Sequence, residues 1–147
     1  MEYVFRIPIP PSVWIFLAII IVIVFLVLLL TIIPVITFSI TLTRDQLKAS
    51  SPIMFKITVN KKDLTNITTV DLREHPELKP TIRTFGAGQP GYKLGWFRLA
   101  SGAKAFLAVS SDKAVVIKPK EDTYVILTPK NINEFIDRLR ELEWIRD

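Results

Sequence analysis

The hydrophobic pattern changes character once, sharply, near residue 34. Residues 13–33 are apolar throughout, with Thr31 as the only hydroxyl residue and no charge. A helix rising 1.5 Å per residue over that length crosses the roughly 30 Å hydrocarbon core of a bilayer. No water there pairs with the backbone, so the segment must satisfy its own amides, which a helix does. A buried strand is excluded by length, since strands run about 4–8 residues. A cleaved signal peptide needs a shorter apolar region followed by a small-x-small site, and Pro34-Val35-Ile36-Thr37-Phe38-Ser39-Ile40 offers none. The reading is a tail over residues 1–12, a retained transmembrane helix over 13–33 and one domain over 36–147. Pro8, Pro10 and Pro11 keep the tail non-helical, Ser12 is the expected cap and Pro34 the expected stop. Tyr3, Phe5 and Trp14 suit an interfacial aromatic belt.

After Pro34 the period becomes two. Ile36, Phe38, Ile40 and Leu42 alternate with polar residues, as in a half-buried strand. Residues 43–52 read as a polar turn. Ile53, Phe55, Ile57 and Val59 alternate as a second strand, and Asn60-Lys61-Lys62-Asp63 is a turn by composition. Ile67, Val70 and Leu72 mark a third strand, followed by a charged loop over 73–80. Residues 81–85 are a weak extended segment and 86–91 a glycine-rich loop. Residues 94–99, 103–109, 114–117 and 123–127 read as further strands. They are separated by Ser101-Gly102, by Ser110-Ser111-Asp112 and by Lys120-Glu121-Asp122. Short strands at this spacing indicate a barrel or sandwich. The chain closes on an amphipathic helix. Thr128 is its expected cap, Pro129 its first residue, and Ile132, Phe135, Ile136, Leu139, Leu142 and Ile145 its apolar face.

Composition adds three constraints. About 110 residues remain after the span, enough for one small core. The absence of cysteine removes disulfides, thiolate metal sites and thiol nucleophiles. Glu2 and Arg6 cancel, so the whole net charge of +5 belongs to the domain. A moderate positive field suits an anionic membrane surface or an acidic partner.

The candidate chemistry is thin. Gly86, Gly88 and Gly91 spell G-x-G-x-x-G, but Pro90 interrupts the motif and a strand pattern follows it, where a dinucleotide cradle needs a helix. His75, the only histidine, stands among Glu74, Pro76 and Glu77 with no second nitrogen or sulfur ligand for a metal. Nothing resembles a nucleophile elbow. Asn66-Ile67-Thr68 is a glycosylation sequon, relevant only outside the cytoplasm. Lys61 and Lys62 stand out through geometry. A first strand leaving the membrane carries the chain about 23 Å outward, and an antiparallel second strand brings these two lysines back to the headgroups. Each then contributes about 1 kcal/mol at an anionic leaflet.

The order of elements resembles the pleckstrin-homology fold. More closely, three segments are similar to the bacterial pleckstrin-homology-like family. They are Pro90-Gly91-Tyr92-Lys93-Leu94-Gly95-Trp96-Phe97-Arg98-Leu99, then Lys104-Ala105-Phe106-Leu107-Ala108-Val109, then Tyr124-Val125-Ile126-Leu127-Thr128-Pro129 with Phe135-Ile136. The resemblance implies a small barrel of about seven strands, against eight candidates counted here, capped by the C-terminal helix. It also implies a binding or assembly role without catalytic residues to carry over.

The expectation is therefore a membrane-anchored, non-catalytic binding module, engaging a protein partner or anionic lipid at the membrane surface. The lipid candidates are Lys61 and Lys62, and the protein-partner site is a groove beside the final helix. No cofactor, metal or nucleic-acid partner is expected. Arg44 and Lys48, joined by Lys61 and Lys62, outweigh Arg6 across the span, which favours a single-pass protein with a cytoplasmic domain. The alternative is an extracytoplasmic accessory domain of a cell-envelope complex.

Overall fold

The computed structural model describes residues 1–52, 55–89, 91–119 and 123–145. Helix α1 runs over Pro11–Thr37. At 1.5 Å per residue it is about 40 Å long, more than a hydrocarbon core requires. Residues 11–32 are exposed along all faces, and the helix is long and apolar enough to cross a membrane. Two expectations about its ends are corrected. Pro10 occupies the N-cap position with Pro11 directly after it, and no side chain caps the helix, so Ser12 lies inside the first turn. Pro34 does not end the helix, which continues to Thr37. Proline's fixed φ is itself helical, and its missing N–H forgoes only the bond to the Leu30 carbonyl. Hydroxyls supplement the ladder here: Thr31 Oγ1 donates to the Val27 and Leu28 carbonyls, and Thr37 Oγ1 donates to the Ile33 carbonyl.

The domain follows without a spacer. Strands β1 (Ser39–Leu42), β2 (Gln46–Ser50) and β3 (Lys56–Asn60) form one antiparallel sheet in that order. A 3₁₀ turn, Lys61–Asp63, leads to β4 (Leu64–Asp71). Two more 3₁₀ turns then lead to β5 (Pro80–Gln89), β6 (Tyr92–Leu99), β7 (Lys104–Val109), β8 (Lys113–Pro119) and β9 (Thr123–Leu127). These six strands form a second sheet in the order β4-β8-β9-β7-β6-β5, antiparallel except for the parallel β7–β9 pair. Helix α2 covers Ile132–Glu141. The architecture expected from the sequence is present: an apolar N-terminal helix, a β domain and a capping helix. The strands make two sheets instead of one closed barrel, and the described residues hold nine of them.

The extra strand is β2, which the sequence presents as a turn. Its pattern, Gln46-Leu47-Lys48-Ala49-Ser50, offers only two apolar residues, yet Leu47 and Ala49 are both fully buried. The glycine-rich segment is likewise no loop: Gly86 and Gly88 lie within β5, and Gly91 turns the chain into β6. Residues 53–54, Pro90 and the expected turn at 120–122 lie outside the described residues. Strands β8 and β9 are buried on both faces, which explains their unbroken apolar runs Ala114-Val115-Val116-Ile117 and Val125-Ile126-Leu127.

The main core gathers Leu47, Ala49 and Val59 from the small sheet, Val115, Ile117, Val125 and Leu127 from the large sheet, and Leu139 and Trp144 from the C-terminal segment. The apolar face of α2 lies against it as expected, with Ile132, Phe135, Ile136, Leu142 and Ile145 half-buried there. Its capping differs. Asn131 is the N-cap and makes no side-chain cap, while Thr128 still extends β9, donating its N–H to the Ala108 carbonyl at 2.9 Å. The C-terminus closes in a Schellman arrangement. Glu143 adopts φ 61°, Trp144 N–H reaches the Leu139 carbonyl and Glu143 N–H the Arg140 carbonyl. Trp144 Nε1 then donates to the Thr43 carbonyl at 2.9 Å, pinning the helix end to the β1–β2 turn.

Gly86 and Gly95 are partners across β5 and β6, and both have φ above +130°. A Cβ at Gly95 would strike the Phe85 carbonyl oxygen, and one at Gly86 the Leu94 carbonyl oxygen. Gly95→Ala should therefore cost about 1–3 kcal/mol from backbone conformation alone, before the collision is counted. Gly88→Ala, whose Cβ meets only ordinary contacts, should leave the melting transition nearly unchanged. Thermal denaturation of the two variants side by side checks the pair.

Candidate functional site: a cleft where the helix enters the domain

Phe38 is the first residue past α1, and its ring stacks on Phe106 of β7 with centroids 6.0 Å apart. Phe106 in turn meets Trp96 edge-on at 5.4 Å and Phe55 at 6.1 Å. Pro34 is buried in the last turns of the helix. Ser51, buried at the end of β2, brings its Oγ to 3.4 Å from Thr37 Oγ1, and its N–H donates to the Phe55 carbonyl at 2.7 Å. The residue that follows the helix thus makes an aromatic contact with the domain, and the last residue of the helix a polar one.

Beside this joint opens a cleft of about 520 Å³. Its apolar lining is Val35 of α1 with Phe38, Ile40, Ala108 and Val109. Tyr92 stands at one side, and its partial burial pushes the phenol above its usual pKa, which keeps it a neutral hydroxyl. The polar lining also includes Ser110, Thr128 and Lys130. Thr128 Oγ1 accepts the Ser110 N–H at 2.7 Å and lies 3.1 Å from Ser110 Oγ. Lys130 is exposed and makes no ion pair among the described residues. The cleft combines apolar residues with three hydroxyls, those of Tyr92, Ser110 and Thr128, and one cation.

The turn that carries Ser110 is braced from β4. Leu72 N–H donates to the Asp112 carbonyl at 2.8 Å, and Arg73 reaches both Asp71 (2.8 Å) and Asp112 (3.5 Å). The Arg73 hydrogen bonds hold the Asp71 carboxyl down at about 2.

Lys61 and Lys62 do not come to this end of the domain. β2 returns toward α1, with Ser50 opposite Ser39, and β3 runs outward again, ending with Asn60 opposite Gln46. The two lysines therefore share the far end of the small sheet with the β1–β2 turn: Lys61 N–H donates to the Asp45 carbonyl at 2.9 Å. The unrecognised strand β2 reversed the count, so the returning-strand argument for headgroup contact does not hold. Lys61 has a structural role there, its Nζ donating to the Leu142 carbonyl at 2.8 Å at the C-terminus of α2. The apolar face of α2 packs into the main core, as expected of a helix that covers the strands. His75 lies at the surface with Nδ1 2.9 Å from Glu77 Oε1, and no cluster able to hold a metal ion occurs among the described residues. Asn66 is exposed on β4. Sequence reasoning missed Tyr92, Ser110, Thr128 and Lys130 as a group, because only the β6–β7–β9 pairing brings them together.

A small β domain of packed sheets closed by one C-terminal helix, preceded by an apolar helix, defines a pleckstrin-homology-like class. A family model described as "Bacterial PH domain" matches residues 38–143. The chain belongs to the bacterial PH domain family, whose fold generally serves as a non-catalytic binding module. No curated protein and no solved structure matches the chain.

Because the folded-state pKa of Asp71 is depressed from 3.8, its contribution to stability is present above that value and is lost as pH falls toward 2. Carboxyl-carbon NMR should find Asp71 titrating near 2 in the native protein and higher in Arg73→Ala, where the backbone N–H of residue 73 still holds the carboxyl below its usual value. An unchanged titration in that variant would remove Arg73 as the cause.

Proposed function

We propose that this chain is a single-pass, membrane-anchored binding and assembly module that uses no catalytic chemistry. Its PH-like domain lies against the cytoplasmic leaflet and engages its partner, an anionic lipid or a protein, at the membrane surface. The observation that carries the reading is the joint. The helix passes into β1 with no spacer, Phe38 is seated on Phe106, and the cleft opens beside Val35 in the final turns of α1. The apolar run ends near Ile33, so the cleft sits at headgroup level once α1 spans a bilayer.

The test uses the absence of native cysteine. In the full chain reconstituted in nanodiscs, a fluorophore at Ser111→Cys should be strongly quenched by a headgroup-attached quencher, and one at Lys62→Cys weakly. Equal quenching would return Lys61 and Lys62 to the membrane surface as headgroup candidates, and weak quenching at both would place the domain away from the bilayer.

The positive residues after the span support the cytoplasmic side. The exposed Asn66 sequon is what favours the second reading, an extracytoplasmic accessory domain of an envelope complex. Ser101→Cys, in an exposed turn, should resist a membrane-impermeant thiol reagent in intact cells and react after lysis. Labelling of intact cells would establish the second reading.

A further inference from the structure

We infer that the free edge of β3 takes an extended segment of a partner protein as a fourth strand of the small sheet, with acidic residues of that segment meeting the cations around it. This deepens the reading of a binding module and rests on it. The small sheet has the order β1-β2-β3, so β3 has a strand neighbour on one side only. The parity of its hydrogen bonds follows from the two bonds that flank the β2–β3 ladder. Ser51 N–H donates to the Phe55 carbonyl at 2.7 Å, and Lys61 N–H to the Asp45 carbonyl at 2.9 Å. In the same register Ile57 stands opposite Ala49 and Val59 opposite Leu47. An antiparallel ladder alternates, so Ile57 and Val59 turn their backbone groups to β2, while Lys56 and Thr58 turn theirs away. The outward N–H and C=O groups of Lys56 and Thr58 form a template for one more strand.

The edge borders a second cleft. It has a volume of about 570 Å³ and is lined by residues 57–60 of β3, by Trp96 of β6 and by Lys104 of β7. Cross-strand pairing shows what shares that surface. Phe85, Trp96 and Phe106 are register partners across β5, β6 and β7, as are Ile82, Arg98 and Lys104. Partners point to one face, and Trp96 and Arg98, two apart on β6, put both rows on it. Phe55, the residue before β3, packs against Phe85 at 5.6 Å and Phe106 at 6.1 Å, so this is the face that β3 crosses. Ile82 and Phe85 are the only large apolar side chains that the described residues expose after α1. An exposed apolar pair near an unpaired strand edge marks an interaction surface. The charge there is one-sided. Lys56, Arg98 and Lys104 are exposed and make no ion pair among the described residues, and Lys104 Nζ lies 4.8 Å over the Trp96 ring. Asp63, the acid that lines the cleft, is 3.4 Å from Asn60 Nδ2. Acidic residues in the guest strand complement these cations, whereas a second copy of this chain would set the same cations against themselves. A lysine on an edge strand, such as Lys56, is itself a guard against self-pairing.

The experiment pans a phage library of random peptides on the full chain in phosphatidylcholine nanodiscs, with empty nanodiscs removing phage that bind lipid. Enriched peptides should alternate apolar and acidic residues. The strongest is synthesised and its binding measured by fluorescence anisotropy. Thr58→Pro should abolish that binding. It deletes an N–H that β2 does not use, at an edge position where proline is accommodated, so the sheet persists, as a thermal melt verifies. Lys56→Glu should weaken an acidic peptide about five-fold, the size of one cross-strand charge pair. Strand addition also leaves a signature in the peptide, whose N–H groups face β3 at every second position. On the unaltered chain, N-methylation should therefore block binding at alternate positions and be tolerated between them. No enriched peptide, binding that withstands Thr58→Pro, or tolerance of N-methylation at every position would overturn the strand site. None of these results alters the quenching expected at residue 111, on which the membrane-surface reading is judged separately. Sedimentation of the detergent-solubilised full chain as a dimer that Thr58→Pro dissociates would overturn the partner segment in favour of a second copy.

Discussion

The stack of Phe38 on Phe106 is the contact on which the arrangement of the molecule depends. Phe38 ends the helix and precedes the first strand by a single position, so its ring is the shortest possible link between an element built for lipid and a core built in water. Its neighbours Phe55, Leu94 and Phe106 form a small buried cluster of their own, separate from the main core. A burial of this kind is worth roughly 1.5–3 kcal/mol per large side chain, far more than a flexible hinge tolerates losing. The Thr37–Ser51 contact adds direction to it, since Ser51 stands at the end of β2 nearest the helix. Both contacts place the end of α1 at the Ser39–Ser50 end of the small sheet.

The opposite end of the small sheet is closed by the C-terminal segment. α2 alone would shield the core without fixing the two sheets to each other. The Schellman turn does the fixing, because it aims Trp144 back under the helix and delivers its indole N–H to Thr43. Lys61 meets the same turn from β3 through the Leu142 carbonyl. The three-stranded sheet thus meets the end of α1 through Ser51 at one end and is held at the other by the residues after α2. Sheets of three strands are marginal alone, and this one is buttressed at both termini.

Much of this was legible in the sequence, and what was not has physical reasons. The apolar span, the strands from 92 onward and the apolar face of α2 depend on repeated local pattern, and they are where the pattern put them. The β2 strand was illegible because two buried residues, one of them alanine, supply too little hydrophobic signal against Lys48, Gln46 and Ser50. The glycine strand was illegible for a different reason. Gly86 and Gly95 look like loop residues, yet each is needed because the other strand's carbonyl occupies the space of its Cβ. Pro34 and Thr128 carry strong local signals that tertiary context overrode: the helix had its backbone to satisfy, and Thr128 was already bonded to Ala108.

These misreadings differ in consequence. Moving a helix boundary by a turn changes little, but omitting one strand inverts the end of the sheet at which every later residue lies. That is why Lys61 and Lys62, assigned to the membrane by counting, stand at the far end beside Thr43 and Asp45, whereas Lys130 stands beside Val35. Topological parity carries charge from one face of a small domain to the other without altering the net charge. The positive balance of the domain, read from composition, therefore says that an anionic partner is welcome and nothing about where. The location follows from hydrogen-bonded register: Ser39 opposite Ser50, Gln46 opposite Asn60, and β7 parallel to β9, which sets Ser110 against Thr128.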